Sequence, residues 1–222
     1  MAAIKPANLI ALEDDPLYKD FLTFYINRDP AALPTALFAD ISLPVFKVVL
    51  VSSGHSNGHW FFCFYHDDKG ISKTYVNCKA ALKNGYSQLW IGSLTRTDTA
   101  DNSYELDVKA PHKPLSDFIH VLLHPTASDV DGKGGEVHAD KPMLWYQYVQ
   151  GGKTAGCRWW TESAARAFFR AGYLAGTAAE VDAKIKKEGN RIEVENTVNP
   201  RGKFFAQRPD KKDYELPVIT DP

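Results

Sequence analysis

Two strand-like stretches joined by Asp67-Asp68-Lys69-Gly70 constrain the fold of this chain more than any other feature. Residues 59–65 run His59-Trp60-Phe61-Phe62-Cys63-Phe64-Tyr65, and residues 72–78 run from Ser72 to Cys78 through Tyr75 and Val76. Side chains alternate across a strand. His59, Phe61, Cys63 and Tyr65 therefore share one face, and Trp60, Phe62 and Phe64 the other. Asp and Gly favour a turn between them, because Asp bonds its own backbone and Gly accepts positive φ. The pair is expected to form an antiparallel hairpin. A tight turn would set His59 nearly opposite Asn77 on the same face.

The remaining pattern predicts an α+β domain: a curved, mainly antiparallel sheet with helices packed against it. The β-branched run at residues 46–53 reads as a further strand, as do residues 88–92 and 104–108. Helices are expected at residues 14–28, 114–123 and 177–188 and from Cys157 to Gly172 or Gly176. Thr177 followed by Glu180 makes a capping box. A short aromatic run at residues 144–148 precedes the Cys157 helix, and residues 203–206 form a late strand. Residues 125–141 are polar and Gly-rich, the composition of a mobile cover. The expected organisation is an N-terminal helix and Pro-rich loop (1–44), one domain (45–206) and a loosely held tail (207–222).

A chain of 222 residues with net charge −1 carries no basic footprint for nucleic acid. No apolar run approaches the roughly 20 residues of a membrane span, and the N-terminal residues lack a signal-peptide pattern. Cys63, Cys78 and Cys157 form no close pair, so neither a zinc cage nor a disulfide framework is expected. Reduced thiols and a cytoplasmic location fit best. No cofactor is expected. His120 and His124 have metal-ligand spacing but no third ligand nearby, so no metal is expected.

Chemistry is expected at Cys157. It opens an amphipathic helix, where partial positive charge and unpaired N–H groups lower a thiol's pKa. His59 is the candidate base and Asn77 the group that orients it, a Cys-His-Asn constellation. Backbone N–H groups of Cys157 and Arg158 are candidates for an oxyanion hole. Trp60, Arg158, Trp159, Trp160 and Trp145 are the candidate substrate-binding residues. Trp159 and Trp160 point about 100° apart on a helix, so one faces the core and the other a groove. The order His, Asn, Cys is that of circularly permuted papain-like (NlpC/P60-like) arrangements, an analogy of layout alone.

Several blocks resemble the fungal domain-of-unknown-function family DUF7770. They are Val48-Val49-Leu50-Val51 with Asn57-Gly58-His59-Trp60, the strand Lys73-Thr74-Tyr75-Val76-Asn77, Leu115-Ser116-Asp117-Phe118-Ile119 and Gly156-Cys157-Arg158-Trp159-Trp160. Ala171-Gly172-Tyr173-Leu174 and Gly202-Lys203-Phe204-Phe205 continue it in the same order. The chain departs from the family pattern where Gly58 separates Asn57 from His59, and where Asn77 replaces a common acidic residue. The resemblance implies a fungal source, a small intracellular protein and a place in specialised metabolism. The expected function is Cys-dependent acyl chemistry, hydrolysis or transfer of a thioester, ester or amide, on a small-molecule metabolite. The alternatives are a non-nucleophilic cyclase or isomerase with an aromatic pocket, and a ligand-binding or scaffold protein. No nucleic-acid or membrane partner is expected; a homodimer stays open.

Overall fold

The computed structural model describes residues 42–53, 59–80, 87–93, 101–124, 143, 146–147, 156–193 and 203–204, with backbone alone at 77–80, 87–93, 146–147 and 203–204. The helix expected at 14–28, the loop at 125–141, the tail and Trp145 lie outside the described residues.

Five strands form one sheet: β1 (Lys47–Ser52), β2 (Trp60–Tyr65), β3 (Lys73–Ala80), β4 (Ser87–Ser93) and β5 (Ser103–Asp107). Their order is β4-β3-β2-β1-β5, and every neighbouring pair is antiparallel. Among the described residues three helices follow, α1 (Leu115–Leu123), α2 (Cys157–Arg170) and α3 (Ala178–Ile192). A two-stranded ribbon pairs β6 (Tyr146–Gln147) with β7 (Lys203–Phe204). The α+β class expected from the sequence is the class observed.

The hairpin forms, with a wider turn than expected. Asp67 accepts the N–H of Ile71 at 3.0 Å through Oδ1 and that of Ser72 at 2.6 Å through Oδ2. These bonds extend the loop, which closes where His66 N–H meets Ser72 O at 2.8 Å. They also hold the exposed Asp67 carboxyl below its usual range. The strand register therefore sets Phe62 against Val76 and Tyr65 against Lys73. That register lies two residues from the expected one, and the pairing ends at Phe62↔Val76, short of both Asn77 and His59. An even shift leaves the division of faces unchanged.

Both faces of β2 are buried, so its sequence is apolar without interruption. Trp60, Phe62 and Phe64 face the helices together with Val48, Leu50, Val76 and Leu106. Phe61, Cys63 and Tyr65 form a smaller cluster with Val49 and Val51 on the other face. α2 packs against β2 and touches both α1 and α3. The Phe168 ring of α2 sits 5.4 Å from Phe62, 5.9 Å from Phe64 and 5.1 Å from Phe118 of α1, centroid to centroid. Each such ring contributes a few kcal/mol of transfer free energy, and tilted contacts add to it. The capping box at the start of α3 is present: Thr177 Oγ1 accepts the Glu180 N–H at 3.3 Å, and Glu180 accepts the Thr177 N–H at 2.8 Å. Among the described residues no helix is long and apolar enough to cross a membrane.

Candidate functional site

The start of α2, the start of β2 and the end of α3 meet in a buried polar seam. Its construction begins with Gly156, which caps α2 at φ +119°, a conformation that favours glycine. The Gly156 carbonyl accepts the Trp160 N–H at 2.9 Å, so Cys157 is the first helical residue. Thr161 Oγ1 donates to the Cys157 carbonyl at 2.8 Å and tightens that turn.

The sheet opens to admit this helix end. β3 stays paired with β4 as far as Ala80↔Ser87, whereas β2 and β3 pair only from Tyr65↔Lys73 to Phe62↔Val76 among the described residues. The Trp60 backbone N–H favours the Cys157 thiolate, so this end of β2 stands beside the start of α2. The preceding residue is fixed by β1: Ser53 N–H bonds His59 O at 3.0 Å, and His59 N–H bonds Ser53 Oγ at 2.9 Å. The His59–Trp60 peptide thus lies against the thiol.

Cys157 keeps some solvent contact although protein surrounds it densely. Burial pushes its thiol above the ordinary value, and the Glu193 carboxylate pushes the same way. The backbone N–H groups of Trp60, Arg158 and Cys157 pull against them without prevailing. The expectation of a thiol lowered by its helix is corrected: desolvation outweighs the favourable N–H groups, and the group rests as S–H.

Arg158 is turned inward and 5% exposed. Its Nε donates to Glu162 Oε1 at 2.8 Å and its Nη2 to Asn190 Oδ1 at 2.8 Å. Nη1 stands 3.7 Å from Glu193 Oε2, and the guanidinium lies 5.9 Å over the Trp60 ring. Trp60 Nε1–H in turn donates to Glu193 Oε1 at 2.5 Å. Burial holds the Glu162 carboxyl above its usual range, although Arg158 and Arg166 act to lower it. Tyr104 packs its ring 6.2 Å from Trp60, and burial, then the Glu162 charge, drive its phenol strongly upward. Its hydroxyl has no hydrogen-bond partner among the described residues. Arg158 and Glu162 crowd over Gly189 of α3. A Cβ there would stand 2.5 Å from Arg158 Nη2 and 2.8 Å from Glu162 Oε1.

The structure brings together Cys157, Arg158 and Trp60 from the sequence-derived set. Trp160 is fully buried and donates its Nε1–H to Met143 O at 2.9 Å, whereas its neighbour Trp159 is partly exposed. The side chain of Asn77 lies outside the described residues. His120 and His124 stack their rings 4.9 Å apart. Among the described residues no three His, Cys, Asp or Glu side chains gather as a metal site. Sequence reasoning missed Glu162, Glu193, Tyr104 and Asn190. Two signals were present: an Arg–Glu pair at helical i,i+4 spacing, and a glycine inside a helical pattern, which marks a close approach. Compared with family models, curated proteins and solved structures, the chain matches none.

Proposed function

We propose that this protein is an enzyme of thiol-dependent acyl chemistry, hydrolysing or transferring a thioester, ester or amide of a small metabolite. Cys157 is the nucleophile and His59 the base. What supports the reading is a cysteine at the first position of α2, only partly buried as a residue, whose thiolate is favoured by the backbone N–H groups of Trp60, Arg158 and Cys157 itself. Donors so placed stabilise negative charge on sulfur, or on a carbonyl oxygen as it becomes tetrahedral. Because the thiol rests protonated, its proton passes to His59 as sulfur attacks the acyl carbon. The C–S bond forms, the leaving group departs with a proton from His59, and water or an acceptor then cleaves the acyl-enzyme. Reduced Cys63 and Cys157 suit a cytoplasmic setting. The likeness to the DUF7770 family directs the search for substrates to fungal specialised metabolites.

The test is turnover of a panel of acyl thioesters, activated esters and amides by the full chain and by Cys157→Ser and His59→Ala. The expected result is activity on at least one class that either substitution reduces by about a hundredfold or more, as loss of a nucleophile or its base does. Activity unaffected by Cys157→Ser would refute the proposal. A second reading is favoured by the burial that pushes the Cys157 thiol above its ordinary value. In that reading the aromatic seam binds a hydrophobic metabolite and templates a cyclisation or isomerisation without a covalent step.

A further inference from the structure

Of the backbone N–H groups that favour the Cys157 thiolate, two belong to Trp60 and Arg158. The side chains of those same two residues end on one carboxylate. Trp60 Nε1–H donates to Glu193 Oε1 at 2.5 Å, and Arg158 Nη1 lies 3.7 Å from Glu193 Oε2. Glu193 is 8% exposed and forms the C-terminal cap of α3, where its own N–H bonds Gly189 O at 3.0 Å. It stands 133 positions from Trp60 along the chain. It is thus a third element holding the start of β2 against the start of α2, at the place where β2 has parted from β3.

We propose that Glu193 is a positioning residue, a carboxylate pin that fixes the backbone N–H groups of Trp60 and Arg158 against the Cys157 sulfur. The role extends the thiol reading above, but its readout is the ionisation of Cys157 and needs no substrate. Glu193 acts on the sulfur in two opposing ways. Its negative charge disfavours the thiolate directly. Its hydrogen bond to the indole and its ion pair with the guanidinium hold in place donors that favour it. A residue with a merely structural part in folding would show only the direct effect of its charge on titration.

Glu193→Gln and Glu193→Ala separate the two. Both remove the charge, but only Gln keeps an oxygen that accepts from Trp60 Nε1–H. The measurement is the pH dependence of iodoacetamide alkylation of the native chain, read at the Cys157 peptide by mass spectrometry. Cys157 is expected to titrate lower in Glu193→Gln than in the parent chain, because a repelling charge is gone. In Glu193→Ala it should titrate above Glu193→Gln, with alkylation at pH 8 slower by about three- to tenfold, the effect of losing an aligned donor. Trp60→Phe supplies a second arm, since it removes the indole donor and leaves the carboxylate. It should raise the Cys157 midpoint above that of the parent. Equal midpoints in Glu193→Gln and Glu193→Ala, or an unmoved midpoint in Trp60→Phe, would overturn the proposal. If Glu193→Ala fails to fold, the Trp60→Phe result decides. Predicted midpoints without acyl turnover would refute the enzymatic reading and leave the pin standing; turnover with equal midpoints would do the reverse.

Discussion

The two ends of α2 are buried in opposite ways. Toward its C-terminus the helix presents Ala164, Ala165 and Phe168 to Phe62, Phe64 and Phe118, an apolar contact. Toward its N-terminus it buries Arg158, Thr161 and Glu162, and Arg158 reaches Glu162, Asn190, Glu193 and the Trp60 ring. The first end gains free energy in proportion to the apolar area removed from water, without regard to direction. The second must satisfy each charge in turn, and buried ion pairs often contribute less to stability than well-packed hydrophobes of the same volume. One helix thus anchors the domain at one end and holds a desolvated thiol among oriented donors at the other. Stability alone asks for the first arrangement and does not ask for the second.

The largest expected effect probes the apolar end. Phe168→Ala should lower unfolding free energy by about 3–5 kcal/mol, the range for emptying an aromatic site in a core. Denaturant unfolding checks it, and a loss below about 1 kcal/mol would show that the ring cluster does not carry the fold.

Gly189→Ala tests how tightly the polar end is closed. Helix propensity alone favours alanine by about 1 kcal/mol. A Cβ 2.5 Å from Arg158 Nη2 and 2.8 Å from Glu162 Oε1 reverses the sign, because both groups are held by partners. The expected outcome is net destabilisation of about 1–3 kcal/mol, the usual cost of overpacking, with altered alkylation of Cys157. A neutral or stabilised Gly189→Ala would mean that the seam yields easily.

The smallest effect serves as the contrast. Thr177→Ala removes the cap of α3 at the end opposite Glu193. It should cost about 1 kcal/mol and leave the Cys157 titration where it was. A shifted titration would show that the seam responds to general loosening of α3 and not to its own contacts.

Features fixed by local chemistry were legible in the sequence. Alternation alone assigned Trp60, Phe62 and Phe64 to one face and Phe61, Cys63 and Tyr65 to the other, and the two clusters follow that division. Thr177 and Glu180, three residues apart, announced the cap of α3. What stayed hidden depends on partners distant along the chain, or on how a side chain uses its own loop. The two-residue register shift arises because the Asp67 carboxylate binds the N–H groups of both Ile71 and Ser72. The helix-start argument for Cys157 counted the N–H groups of α2 correctly. It had no access to the burial that outweighs them or to the Glu193 charge beside the thiol. Arg158, expected at a substrate, is instead committed to Glu162, Asn190 and Glu193. Only the Glu162 partnership lies within one helix and could have been read from spacing.

A covalent intermediate is the direct sign of a chemically competent thiol in the polar seam. Rapid quenching of the full chain during turnover of the best acyl thioester, followed by intact-mass and peptide analysis, tests this. The predicted result is an acyl adduct on the peptide carrying Cys157, absent from the Cys157→Ser chain and slower to form in His59→Ala. Turnover without any adduct at Cys157, under conditions where its formation is not rate-limiting, would contradict the account and favour non-covalent chemistry in the aromatic seam.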